Sequence, residues 1–575
     1  MTILGIAGFE HDATAALIGE AGVIAAIEED KLARTPRMGG VPHLAIDFVM
    51  RRASARPADL LGVAVATCPR RAWLREERFR MKLVLSRPAS AYQTGSLGRV
   101  YRSYNHLRSL RRQLVSGPHV LQFEHHLCHA ASAYYPSPFD GALVLTLDEA
   151  GDMWSGTVAI GEGDELRIIE TLKFPDSLGW FYTRVTELLG LRPHLDEQKT
   201  LWLGRNGTTD LVEAFRHFFH TETSGLPHLN REYFGGGVGG EWSFSAQARR
   251  ELGISGKEAP QDSAHRATIA RSAQAFLEET VLALAEHYRK KTGAKNLAVA
   301  GGVFLNVLLV RALEKRGGFE EVFVQPAAGN AGTALGAALL GRKQLTGQSG
   351  RRPLVSLDWG PEFDPSTLKE VLDNSKIIYR YLPVDDELFA ETVRLLNAGQ
   401  IVAWCQGRLE FGWRALGHRS LLASPYAPFV TENLNRYIKH REDFHPFALS
   451  VPAERAPELF EATGNCRFLA SLGELRAGVQ GLDEFTFLNR QVRVHIVERE
   501  AAPRFWKLLQ AFGATAPAPV LINASFNLFG EPLVAEPRDA IRSFYCSGTD
   551  AMVLGNYLIT KSYPVYPVET HRYSL

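Results

Sequence analysis

The sequence predicts an α/β protein of two domains, and three observations carry that expectation. At 575 residues the chain is too long to fold around one core. In its first half, apolar strand-like runs end in glycine or acidic turns and lead on into helical patterns. A polar, glycine-containing stretch, Gly341–Pro353 (GRKQLTGQSGRRP), then interrupts the ordered pattern and divides a portion at 1–345 from one at 355–575. A hydrophobic content of 45% with 22% charged residues is ordinary globular composition and excludes a disordered chain. The formal net charge of +1 gives no global field to recruit nucleic acid or an anionic membrane.

Taken in order, Ile3–Gly8 reads as a strand, with Ala15–Ile18 and Gly22–Ile27 as a hairpin. Ala142–Asp148 is a strand that ends in the acidic turn LDEAGD and leads to Trp154–Ile160. Ser263–Lys291 keeps helical period through Ile269, Ala273, Phe276, Thr280, Leu284 and Tyr288, and Gly293 stands where a C-terminal cap belongs. Strand Leu297–Ala300, the turn Gly301–Gly302 and a helix from Leu305 follow. An actin/hexokinase-type nucleotide fold builds its phosphate and adenosine loops from such turns, and so do plain α/β folds; the pattern alone leaves both open. Gly235–Gly240 reads as a tight loop, Arg70–Arg112 as helices with solvated basic faces, and no internal repeat is visible.

The N-terminus meets Glu10, His11 and Asp12 before any long apolar run, and so predicts no secretory signal. The longest apolar stretch, Leu297–Val310, falls short of the roughly 20 residues that span a bilayer. Five cysteines (Cys68, Cys128, Cys405, Cys466, Cys546) lack CxxC spacing and read as free thiols. The expectation is a soluble cytoplasmic protein that binds neither membrane nor nucleic acid.

The densest chemical signal lies in GRLEFGWRALGHRSLL (Gly407–Leu422) and NRYIKHREDFHPFA (Asn435–Ala448). Arg408, Arg414, Arg419, Arg436, Lys439 and Arg441 stand there among glycines and aromatics. Guanidinium forks suit phosphate oxygens, and glycine lets backbone N–H groups approach an anion. A solvated basic face is the alternative, but it mixes Lys with Glu and carries few aromatics. The composition favours a pocket for phosphorylated small molecules.

In EHHLCHA (Glu124–Ala130), His125 and His129 are four apart and share a helix face, while His126 points elsewhere. With Asp148 at the LDEAGD turn they form two imidazoles and a carboxylate, a set suited to Fe(II), Mn(II) or Zn(II); a hydrogen-bonded histidine face is the alternative. His11 in GFEHD can act as a general base near neutral pH or merely cap a turn.

These blocks together resemble the O-carbamoyltransferase family that decorates nodulation factors and antibiotics. The resemblance rests on GFEHDATAAL, HHLCHA, LDEAGD, AGGVFLN, EFGWRALGHRS, IKHRE and ASFNLFGEPLV (Ala524–Val534). It implies an N-terminal actin/hexokinase-like (ASKHA) two-lobed domain, similar to threonylcarbamoyl-transferring enzymes, fused to a YrdC-like α+β domain. It further implies ATP with Mg2+, carbamoyl phosphate, carbamoyl-AMP and a small hydroxyl-bearing acceptor. By this resemblance Arg408, Arg414, Arg419, Lys439, Arg441, His445, Arg493, Ser525 and Asn527 bind carbamoyl phosphate and ATP. Lys199, Gly301, Gly302, Asn306 and Gly329 are the N-terminal nucleotide residues. His125, His129, Asp148 and Asn330 hold a divalent metal, with Fe2+ first and Mn2+ or Zn2+ as alternatives. His11, Lys439 and Arg414 are the catalytic candidates.

Three positions depart from the family pattern. Asn330 stands for an aspartate, His445 for an arginine, and DEQKTLWLG (Asp196–Gly204) keeps only Lys199 of an EGKxMGLA-like segment. Another group transfer (threonylcarbamoyl-type, or sugar phosphorylation) and a non-catalytic nucleotide-binding role stay open beside the first reading, as do monomer and homodimer. Acceptor specificity is expected in Arg70–Arg112 and His194–Gly207.

Overall fold

The computed structural model describes residues 2–67, 105–110, 119–235, 243–256 and 258–561. The Arg70–Arg112 stretch lies outside these residues apart from 105–110, and the Gly235–Gly240 loop apart from Gly235.

The N-terminal portion is two five-stranded sheets of the same design. In the first, β1 (Thr2–Ala7), β2 (Thr14–Gly19) and β3 (Gly22–Glu28) form an antiparallel meander, and β4 (Leu60–Ala66) and β5 (His119–Phe123) extend it in parallel from β1. In the second, β6 (Gly141–Gly151), β7 (Trp154–Glu162) and β8 (Glu165–Lys173) repeat the meander, with β9 (Asn296–Ala300) and β10 (Glu321–Val324) parallel to β6. This duplicated order is the actin/hexokinase-type arrangement, so the topology repeats although the sequence shows no repeat. Helix Ser263–Thr292 has its C-terminal cap at Gly293 with φ +70°, as its spacing predicts.

Helix Asn330–Thr346 packs on the first sheet and against helix His125–Tyr134, which itself packs on the second. Its small residues let it press onto β1 and onto helix His125–Tyr134: a Cβ on Gly5 would stand 2.0 Å from the Ala334 carbonyl oxygen, and one on Gly336 1.9 Å from that of Cys128. That close packing fixes the turn bearing His11 and the helix bearing His129 against one element. The helix runs to Thr346 and ends at Gly347, φ +80°, so the first residues of the polar stretch from Gly341 belong to its last turns.

The C-terminal portion is built on a ten-stranded mixed sheet with helices packed on it. Successive residues of strand Val402–Cys405 serve opposite faces. Ala403 and Cys405 enter one core, Val402 and Trp404 the other.

The halves share a core, since Leu409, Ala415, Leu533 and Ala535 are buried among side chains of β1, β2 and β4. Around that contact the buried Lys31 ammonium pairs with Glu28 at 2.8 Å and donates to the Glu410 and Gly412 carbonyls, while Gly412 N–H donates to Glu28 at 2.7 Å. Among the described residues no helix is long and apolar enough to cross a membrane.

Candidate functional sites

Helix His125–Tyr134 starts immediately after β5 and points His125 and His129 toward the end of β6, where Asp148 lies. His129 Nε2 is 2.9 Å from His125 Nε2 and 3.1 Å from Asp148 Oδ2, and His125 Nε2 is 3.5 Å from the same oxygen. Two imidazole lone pairs and a carboxylate oxygen repel at such range unless a cation or proton lies among them. Ligand bonds of about 2.1 Å at right angles place donor atoms about 3 Å apart, so the trio fits a divalent ion. Glycine makes room for it: a Cβ on Gly151 would lie 2.0 Å from the His125 ring, and one on Gly302 2.8 Å from Asp148 Oδ1. Burial raises the Asp148 carboxyl, but hydrogen bonds from His125 and His129 outweigh it and hold the group well below its ordinary range. His126 is spent on Thr146 and the Trp154 carbonyl, at 2.9 and 3.0 Å.

His11 follows β1, with Nδ1 2.8 Å from the Asp12 carboxylate and 3.3 Å from Arg37. Asn330 brings its amide nitrogen within 3.1 and 3.2 Å of the two ring nitrogens and donates to the His11 carbonyl. The amide expected among the metal ligands is thus engaged with His11. Asp12 and Arg37 were not legible as site residues, because neither belongs to a spacing that marks them.

In the C-terminal portion a π-helical turn over Asn433–Ile438 leads into Lys439. The ammonium sits in a cage of oxygens: 2.9 Å from the Ser525 carbonyl, 3.2 Å from Ser525 Oγ, and against both oxygens of Asn527. Burial and the neighbouring Arg441 bring its pKa down to about 7. Arg441 donates to Asn435 at 2.6 Å and lies over the Phe447 ring. Burial lowers Arg414 and Arg441 to about 10 each. Arg493 is driven well below its ordinary value by burial and then by Arg414 and Arg441. These three guanidiniums form no ion pair with a carboxylate among the described residues. Such charge density is costly until an anion arrives. His445 is held neutral, at about 3, by burial and then by Arg441, Lys199 and Arg493.

Other expected residues serve elsewhere. Arg419 donates to the carbonyls of Gln406, Gly407, His418 and Pro361, and Arg408 to those of Ile24, Trp359 and Gly360. Both guanidiniums are engaged with backbone carbonyls of the fold. Asn306 caps the following helix at Leu309 N–H and exchanges hydrogen bonds with Gln274, so its side chain is not offered to a nucleotide. Gly301 packs onto β6 with φ +104°, and Gly329 precedes helix Asn330–Thr346. Lys199 pairs with Glu442 of the C-terminal portion at 2.7 Å, and its neighbour Gln198 lies 3.5 Å from Arg414.

A family model described as carbamoyltransferase N-terminus matches residues 2–339, and one described as carbamoyltransferase C-terminus matches 393–561. Nodulation protein NolNO of Sinorhizobium fredii is 30% identical over 96% of this chain and 79% of its own. An uncharacterized protein of Synechocystis is 30% identical over 97% of each chain. A 3'-hydroxymethylcephem-O-carbamoyltransferase of Amycolatopsis lactamdurans is 32% identical over 45% of this chain and 48% of its own.

Proposed function

The chain belongs to the carbamoyltransferase family, and from that premise we propose that it transfers a carbamoyl group from carbamoyl phosphate, with ATP, to a hydroxyl of a small natural product or sugar. The observation that carries this reading is the buried group Arg414, Arg441 and Arg493 beside Lys439, a concentration of positive charge that a phosphorylated substrate neutralises.

In the proposed first half-reaction, carbamoyl phosphate, water and ATP give carbamoyl-AMP, phosphate and pyrophosphate. The arginines bind the phosphates and stabilise the charge that develops on the leaving oxygens. Lys439, poised near 7, gains its proton as the anion enters. Ser525 and Asn527 fix the ammonium at that wall.

In the second, the acceptor oxygen forms a bond to the carbamoyl carbon and AMP departs. Asp12 holds the Nδ1 side of His11, and Nε2, which lies 3.2 Å from the Asn330 amide nitrogen, takes the hydroxyl proton once the acceptor displaces that amide. His125, His129 and Asp148 would hold a divalent metal, which would supply Lewis-acid charge to this step. The shared core between the halves keeps the two sites in fixed relation, as the transfer of a hydrolysable adenylate from one to the other requires.

The test is incubation with ATP, Mg2+, radiolabelled carbamoyl phosphate and a panel of hydroxyl acceptors. The expected result is a labelled carbamate ester formed with AMP in equal amounts. Labelled product formed without AMP would contradict the adenylate route.

A further inference from the structure

The contact of Lys199 with Glu442 crosses from one half of the molecule to the other. Lys199 lies on the short helix Glu197–Leu203 of the N-terminal portion, and Glu442 follows Arg441 in the C-terminal one. The pair does little for stability, because both side chains keep some solvent contact and such ion pairs are weak. Its geometry is also unfinished. One oxygen of Glu442 meets Lys199, while Oε2 is buried without a hydrogen-bond partner, 3.6 Å from His445 Nδ1, which is buried and equally unpartnered. Lys199 is close enough to His445 to act on it together with Arg441 and Arg493, so it belongs to the same field of positive charge. Gln198, one residue back, reaches Arg414.

On the reading that this pocket takes carbamoyl phosphate, we propose that Lys199 is a phosphate-binding residue of the C-terminal pocket, contributed by the N-terminal portion, and that Glu442 is its resting partner, displaced by the substrate phosphate. Glu442 is then a stand-in anion. It holds the ammonium at the mouth of the pocket and gives it up to a dianion that the arginines bind more strongly. The donor site is complete only when both halves of the chain are present.

The experiment uses the full-length chain without acceptor and follows pyrophosphate release from ATP as carbamoyl phosphate is varied. Lys199→Ala is expected to raise the KM for carbamoyl phosphate about tenfold or more, the loss of one charge-assisted hydrogen bond, with the KM for ATP nearly unchanged. Lys199→Arg is expected to restore most of that loss, and Glu442→Gln to lower the same KM by freeing the ammonium. A Lys199→Ala protein with unaltered carbamoyl phosphate KM would overturn the proposal. If the wild type releases no pyrophosphate, the adenylation reading fails, and calorimetric titration with carbamoyl phosphate decides the role of Lys199 separately. Binding weakened about tenfold by Lys199→Ala supports it, and equal binding refutes it.

Discussion

The two polar sites are opposites in charge. The N-terminal trio turns two imidazoles and a carboxylate inward on one point, an excess of electron pairs. The C-terminal pocket buries three guanidiniums and an ammonium with no carboxylate bound to the guanidiniums, an excess of positive charge. Each is unfavourable alone and relieved by a ligand of the other sign, a cation in the first and a phosphate in the second. Other buried charges are compensated locally, as where Lys31 pairs with Glu28 and where the Glu29 carboxylate accepts from two backbone N–H groups. We read imbalance of this kind as the mark of a binding site rather than of a support of the fold.

The largest effect is expected from Arg493→Ala. Removing a cation that meets developing phosphate charge lowers carbamoyl-phosphate-dependent pyrophosphate release by about 100- to 1000-fold. The thermal midpoint, read by calorimetry on the same protein, is unchanged or higher, because a desolvated and unpaired charge has gone. A lower midpoint would make Arg493 structural and break the contrast.

His129→Ala is expected to weaken divalent-metal binding more than about 100-fold, since it removes a ligand outright. Metal analysis after dialysis checks it, and acceptor-free pyrophosphate release should persist. Gly151→Ala sharpens the same point without touching a donor atom. Its methyl group displaces the His125 ring and weakens the metal by about 10- to 100-fold.

The smallest effect is a proton count. With Lys439 near 7 in the free protein, the group is mostly neutral at pH 8, and a bound phosphate favours its charged form. Carbamoyl phosphate binding at pH 8 therefore takes up close to one proton, and affinity falls as pH rises above about 7. Calorimetry in buffers of different ionisation enthalpy reads the uptake. Proton release on binding would reverse the sign of the argument.

Much of this was legible in the sequence, unevenly. The i, i+4 histidines obey helical geometry, so the spacing of His125 and His129 anticipated their shared face. The arginines of Gly407–Leu422 lie mostly in irregular backbone, where no period says which way a side chain points. Arg414 therefore could not be told from Arg408 and Arg419, which turn to backbone carbonyls. Asn306 enters through the AGGVFLN resemblance, and no local spacing shows that its side chain caps the following helix at Leu309. The duplicated sheet order was hidden because β1 and β6 need share only an apolar pattern, not residues, to repeat a topology. Resemblance places Lys199 in an N-terminal nucleotide segment; its contact with Glu442, 243 positions away, is one that only the folded chain makes.

The most direct test of the central claim is pyrophosphate release from ATP by the wild-type chain, with and without carbamoyl phosphate and with no acceptor present. Release that requires carbamoyl phosphate is the predicted result, and it identifies the cationic pocket as the seat of adenylation. ATP bound without release, at carbamoyl phosphate concentrations that saturate the pocket, would contradict that assignment.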